Sequence, residues 1–203
     1  MAIAIPDPGL YVMDKVALDD IVGTAAYEKT REQSRQRIIE LKKRRRIGVG
    51  DKVTLVFENR DTVIFQIQEM MRAEKIADLD KIREEIEVYN ELIPAPGELS
   101  ATLFLEIENQ THLREDLLQF LGIDEAVYLK VGSHSIHARF EEGRSKEDKI
   151  SAVQYIKFPF DEPALQAFVK GEKAELVIGH PNYKASTLIE SKTRQSLMQD
   201  LTG

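Results

Sequence analysis

Apolar residues recur along this chain with two different periods, and the change falls near residue 97. Up to that point the spacing is helical. An extended lead contains Pro6 and Pro8, after which Thr24 is placed to cap a helix over residues 24–46 that stops before Gly48. On a helical wheel Tyr27, Ser34, Ile38 and Leu41 form a narrow inward stripe, with Arg31 inside it and Arg35 on its border. Residues 53–57 alternate like a short strand, and Glu58-Asn59-Arg60-Asp61 reads as a turn. Asp61 is the expected N-cap of a second helix over residues 62–76. Its apolar side chains, from Val63, Ile64, Phe65 and Ile67 to Met70, Met71, Ala73 and Ile76, surround most of the cylinder, which predicts burial on several sides. A third helix over residues 80–92 shows Ile82, Ile86, Tyr89 and Ile93 at helical spacing. Pro94-Ala95-Pro96-Gly97 stops it and marks a subdomain boundary within a single domain of residues 1–203.

Beyond the boundary the period is two. Ala101, Leu103, Leu105 and Ile107 share one face of a strand, and a short helix is predicted over residues 111–121. Val127, Leu129 and Val131 mark a further strand, Gly132-Ser133 has the glycine-first chemistry of a two-residue hairpin turn, and His134, Ile136, Ala138 and Phe140 continue as the return strand. A charged loop at 141–149 leads to a strand at 150–160. Asp161-Glu162-Pro163 starts a brief helix, 174–178 is a last strand, and 184–201 is predicted to close as a helix. The expected fold is α+β, a helical N-terminal half packed on a mostly antiparallel sheet, with a C-terminal helix. Leu188, Leu197, Met198 and Leu201 on that last helix suggest a homodimer face.

Composition narrows the chemistry. The 203 residues are 42% apolar and 31% charged, an ordinary globular balance. No apolar run is long enough to cross a bilayer, and the N-terminal stub lacks the cationic segment of a signal peptide, so a cytoplasmic protein with no membrane partner is expected. There is no cysteine, which excludes disulfides, thiolate nucleophiles, cysteine zinc sites and cysteine-ligated iron–sulfur clusters. Charge is uneven. Residues 1–50 carry ten Lys and Arg against seven Asp and Glu, whereas residues 51–203 carry eighteen against twenty-eight. The chain therefore reads as a basic first helix on an acidic body, with a formal net charge of −7.

The second predicted helix carries carboxylates among apolar residues: Glu74 amid Val63, Ile67, Met70 and Met71, and Glu69 with Gln66 beside Ala73 and Ile76. A carboxylate taken out of water needs a partner. Arg31, Arg35, Arg60 and Arg72 are the available guanidinium groups, and Tyr27 is a hydroxyl contributor. The expected result is a polar cluster of Tyr27, Arg31, Arg35, Arg60, Gln66, Glu69, Arg72 and Glu74 joining the first two helices. Three accounts of it stand open: a structural ion-pair network, an anion or ligand pocket built on Arg31 and Arg35, or a carboxylate metal site. No neighbouring histidine supplies the Glu-x-x-His spacing of di-iron bundles, and no metal or other cofactor is predicted.

Two further features invite chemistry. Lys42-Lys43-Arg44-Arg45-Arg46 resembles a nucleic-acid patch, yet it lacks interleaved aromatics and a recognised binding motif, and cations also suit a helix C-terminus. A solvated helix end or a docking surface for an acidic partner is the preferred reading of that run. His180, before Pro181-Asn182-Tyr183, sits where binding loops gather, although a histidine there is commonly a turn hydrogen-bonder. His134 and His137, three apart on a strand, face opposite sides. No nucleophile elbow, phosphate loop or dinucleotide fingerprint is present.

Several runs together carry a resemblance. They are Tyr27, Arg31 and Arg35; Ile39-Glu40-Leu41-Lys42; Phe57-Glu58-Asn59-Arg60-Asp61-Thr62; Phe65-Gln66-Ile67-Gln68-Glu69-Met70; Arg72-Ala73-Glu74; Glu98-Leu99-Ser100-Ala101-Thr102-Leu103; and His180-Pro181 with Tyr183. Over nearly the whole chain, and most specifically over 57–74, the sequence resembles a bacterial domain-of-unknown-function family. Members of that family are encoded near rubrerythrin and an iron–sulfur oxidoreductase of the heterodisulfide-reductase type. The resemblance implies a role beside peroxide or oxygen defence, with rubrerythrin-like or iron–sulfur oxidoreductase proteins as partners, and it carries over no catalytic residues. The leading expectation is thus a non-catalytic accessory or binding protein of a redox system. The alternatives are a carboxylate-based metalloprotein or enzyme with a pocket between the first two long helices, and a nucleic-acid-binding protein acting through the basic helix.

Overall fold

The structure, a computed structural model, describes residues 14–107, 112–141, 145–146 and 149–202. The expected extended lead and most of the expected charged loop lie outside these residues.

The first long helix, α1 (Thr24–Lys43), has Gly23 at its N-cap, so Thr24 is its first helical residue and not its cap. It also ends earlier than expected. Arg44 closes the last turn, and Arg46–Val49 forms strand β1, in which Ile47 and Val49 are buried while Arg46 and Gly48 are exposed. Those four residues obey period two, and a helical wheel extended through them is wrong. Strand β2 (Val53–Glu58) pairs antiparallel with β1.

Helix α2 (Arg60–Glu74) is capped by Asn59 and not by Asp61. The Asn59 carboxamide oxygen accepts from the Thr62 amide at 3.1 Å, and Thr62 Oγ1 accepts from the Asn59 amide at 2.9 Å. This reciprocal cap satisfies two amides that the helix itself leaves unpaired. Helix α3 (Leu79–Asn90) starts one residue before the predicted position, on an Asp78 cap.

Strand β3 (Glu98–Leu105) follows Gly97 and pairs with β2, so hydrogen bonding runs across the Pro94–Gly97 segment. Helix α4 (Leu113–Leu118) precedes β4 (Val127–Val131) and β5 (His134–His137), which are joined by the expected Gly132-Ser133 turn, with Gly132 at φ 55°. Next come β6 (Arg139–Phe140), the short hairpin β7 (Ser145–Lys146) and β8 (Lys149–Ile150), and β9 (Val153–Pro159). Helix α5 (Glu162–Val169) has the Asp161 cap, and β10 (Ala174–His180) leads into β11 (Tyr183–Leu188). The closing helix, α6, is Ser191–Thr202.

The stretch expected to be one helix from 184 is therefore a strand followed by a helix. Tyr183–Leu188 alternates half-buried and exposed side chains and returns antiparallel along β10. Leu197 and Leu201 are buried in the core whereas Leu188 is exposed, so the four residues expected to form a homodimer face do not share one.

The architecture is α+β. One sheet has the order β1-β2-β3-β9-β6 and a second β11-β10-β4-β5, all antiparallel. The sheets face a common core that includes Leu55, Phe57, Leu103 and Phe158 from the first and Leu129, Val131, Leu176 and Ile178 from the second. Along one side a single bent run, β5 then β6, serves as edge strand to both. Along the other, β11 meets β1: the Tyr183 hydroxyl donates to the Val49 carbonyl at 2.7 Å, and Thr187 Oγ1 donates to the Gly48 carbonyl at 2.8 Å. A smaller core of Val63, Ile67, Met71, Ile82 and Ile86 holds α2 to α3. No helix among the described residues is long and apolar enough to cross a membrane.

A candidate binding cleft between the first two long helices

Three of the predicted cluster residues come together as expected. Arg31 Nε and Nη2 donate to the two oxygens of Glu69, each at 2.8 Å, and the Tyr27 hydroxyl donates to Glu69 Oε1 at 2.7 Å. Positions 27 and 31 lie one helical turn apart on α1, which sets phenol and guanidinium side by side over one carboxylate of α2. The bidentate bond to Arg31 is the main reason that the Glu69 carboxyl sits below its ordinary range. Burial raises it, and the Tyr27 bond lowers it further. Burial, followed by the bond to Glu69, pushes the Tyr27 hydroxyl up. The Arg31 and Glu69 side chains each retain 28% of their surface in water, so this network is half-buried.

The stability consequence has a definite sign. Because folding lowers the Glu69 pKa, the benefit is complete above the ordinary value of 4.5 and is lost as pH falls through the folded value. The gap in urea midpoint between wild type and Glu69→Gln is expected to be full at neutral pH and to close in acid. A gap that stays unchanged as the pH is taken down from 4.5 to the acid limit of the folded protein removes the electrostatic account.

The other predicted members sit elsewhere. Glu74 is exposed at the end of α2. The buried arc of Val63, Ile67 and Met71 stops one turn short of it. Arg60 donates to the Asp14 carbonyl at 3.0 Å and pairs with Asp20 at 2.6 Å, so it ties down the segment before α1 and does not reach Glu69. Arg72 pairs with Glu28 at 2.5 Å and acts on Glu69 only through space. Gln66 turns towards α3 as a hydrogen-bond partner of Tyr89. Arg35 is exposed, 3.8 Å from Glu32. His180 is buried in the turn role: its Nε2 lies 2.8 Å from the Leu121 carbonyl, and its Nδ1 accepts from the Asn182 amide at 3.2 Å. That pairing sets the neutral Nε2–H tautomer.

The basic run is divided by the fold, which sequence reasoning missed. Arg45 is buried, with 1% of its surface exposed. It donates to the carbonyls of Phe57 at 2.9 Å, Glu58 at 3.1 Å and Ser196 at 3.2 Å, and it pairs with Asp200. Lys42, Lys43 and Arg46 instead line an open cleft of about 390 Å³ with Arg35, Ile38, Ile39, Phe65 and Glu69. Ile38 is buried, and Ile39 and Phe65 are half-buried, so the floor is apolar and the rim cationic. Lys43 pairs with Glu40 at 2.5 Å, whereas Lys42 and Arg46 make no ion pair among the described residues. Glu69 forms one end, with both oxygens already engaged by Arg31 and Tyr27. The available sequence signal was the spacing Arg35, Ile38, Ile39, Lys42 on a helix, which puts two cations and two apolar residues on one face.

Among the described residues, no group of three or more His, Asp or Glu is close enough to hold a metal ion. No curated protein matches the chain. A crystal structure of a novel protein of unknown function from Burkholderia pseudomallei K96243 is similar, with 32% identity, coverage of 93% of this chain and 100% of that one, and a TM-score of 0.87. A family described as "Protein of unknown function (DUF3501)" matches residues 15–201, and the chain belongs to that family.

Proposed function

We propose that this protein is a non-catalytic, cytoplasmic accessory protein that docks an acidic surface of a partner into the cleft between α1 and α2, and that the partner is a redox protein of the rubrerythrin-like or iron–sulfur oxidoreductase kind. The observation that carries the reading is the rim: Lys42 and Arg46, which make no ion pair among the described residues, and Arg35, 3.8 Å from Glu32 on its own helix, stand over an apolar floor on a chain whose net charge is −7. In an acidic protein, cations gathered at one cleft steer an acidic partner to that place and disfavour approach elsewhere. The Glu69 network fits the same reading as a support. It locks α2 against α1 and so holds the cleft walls in register. The choice of redox partner rests on the family resemblance alone.

The test is capture from a native extract with the full-length protein and with an Arg35→Glu/Lys42→Glu variant, followed by identification of the bound proteins. Rubrerythrin-like or iron–sulfur proteins should be enriched at low salt, fall away at high salt and be absent with the variant. Enrichment of neither class ends the redox assignment. Capture that is indifferent to both salt and the variant ends the cleft assignment.

A further inference from the structure

The spacing of the cleft restricts what can fill it. Arg35 and Lys42 are seven residues apart on α1, about 10.5 Å along the helix axis, with Ile38 and Ile39 between them and Phe65 opposite. A ligand that uses the whole cleft must present two anionic groups about two helical turns apart, with apolar groups between them. A nucleic-acid duplex presents a phosphate about every 3.4 Å of helix axis on each strand, with no apolar interval along its backbone, and would leave the isoleucine floor unmatched. A helix matches it, because residues i, i+3, i+4 and i+7 share one face. The cleft also lies alongside α1, so a docked helix can run nearly parallel to it with acidic and basic positions in step.

We infer that the occupant is an amphipathic helix of a separate protein bearing Asp or Glu at i and i+7 and large apolar residues at i+3 and i+4. The acids meet Arg35 at one end and Lys42 with Arg46 at the other, and the apolar pair lies on Ile38, Ile39 and Phe65. The inference rests on the docking reading above and specifies its ligand. The engaged carboxylate of Glu69 closes the Arg35 end to a third acidic group and so helps set where along α1 the helix stops.

A labelled synthetic helix of about 15 residues with Glu at i and i+7 and Leu at i+3 and i+4, in an alanine–glutamine background, is the probe. It should bind the full-length protein roughly tenfold more tightly than a scrambled peptide of the same composition or one broken by a central proline, and the advantage should vanish in Arg35→Glu/Lys42→Glu. If patterned, scrambled and proline-broken peptides bind alike, yet all are lost in that variant, the helix inference is overturned while acidic docking stands. If binding ignores the variant, both fall. An oligouridylate of about 20 nucleotides that displaces the peptide from the cleft at equal or lower concentration overturns the inference in favour of nucleic acid. The protein itself offers one rival: the outer face of α3, with Glu84, Glu87 and Glu91 around Val88, which is 67% exposed. Concentration-dependent self-association abolished by Glu84→Lys/Glu91→Lys makes the occupant a second copy, and that result also overturns the inference.

Discussion

Arg45→Ala is expected to lower the unfolding free energy by about 3–5 kcal/mol, the range for removing one partner of a buried ion pair. For a chain of this size that is a fall of roughly 10 °C in Tm. The cause is what is left behind. Asp200 keeps 3% of its side-chain surface, and its principal neutralising partner is Arg45, with Asn59 adding a hydrogen bond. Three carbonyls, of Phe57, Glu58 and Ser196, lose a donor in the same step. Arg45 thus joins the start of β1, the end of β2 and helix α6. Burial raises the Asp200 carboxyl above its ordinary range despite the opposing pull of Arg45. A raised folded pKa means that stability falls as pH rises through the folded value. Without Arg45 the carboxyl rises further, so the deficit should be larger at neutral pH than in acid. A double replacement, Arg45→Met/Asp200→Leu, should recover most of the loss but not all, since the carbonyls stay without a donor. Urea unfolding of the three proteins at two pH values checks this. A single replacement that costs under about 0.5 kcal/mol, the scale of surface sites, refutes the tether.

Gly50→Ala is expected to cost about 2–5 kcal/mol, from two sources that add. Gly50 lies at φ 73° in the β1–β2 turn, a conformation that costs a residue with a Cβ about 1–2 kcal/mol. A Cβ there would also drive into the Tyr183 hydroxyl and stand 3.0 Å from the Ala185 Cβ, an overpacking of about 1–3 kcal/mol. That hydroxyl donates to the Val49 carbonyl and accepts from the Lys52 amide at 3.0 Å, so it stitches the turn of the first sheet to β11 of the second. Tyr183→Phe at the same junction removes the hydrogen bonds but leaves the ring on Phe120, 5.3 Å between centroids, and should cost less. If Gly50→Ala proves as mild as Tyr183→Phe, the close approach at this junction is wrong.

The Arg31–Glu69 pair shows how far a sequence argument reaches. A carboxylate on an apolar helix had to find a cation, and two positions one turn apart on the preceding helix were suitable donors. Chemistry restricted the choice, and the structure made it: Arg31 took Glu69, Arg72 took Glu28, and Arg60 took Asp20. Glu74 was misjudged for a related reason. A helical wheel gives direction around the axis but not how far along it burial extends, and Glu74 lies exposed in the last turn of α2, past the buried Met71.

Periodicity and turn chemistry determined the α+β class, the three N-terminal helices and the Gly132-Ser133 hairpin, because each is read from residues near one another in the chain; the need of Glu69 for a guanidinium followed from its place among apolar residues, and the fold supplied Arg31 from 38 residues away. Distance in the chain hid the rest. Arg45 belongs with Asp200, 155 residues away, and within a run of five cations no local property separates the buried guanidinium from its solvated neighbours. Residues 184–188 are a strand because β10 offers an edge and the two sheets must close on each other, a condition met only after folding. Burial of a charge, like the membership of an edge strand, is settled by what packs against it, and that is a property of the whole fold.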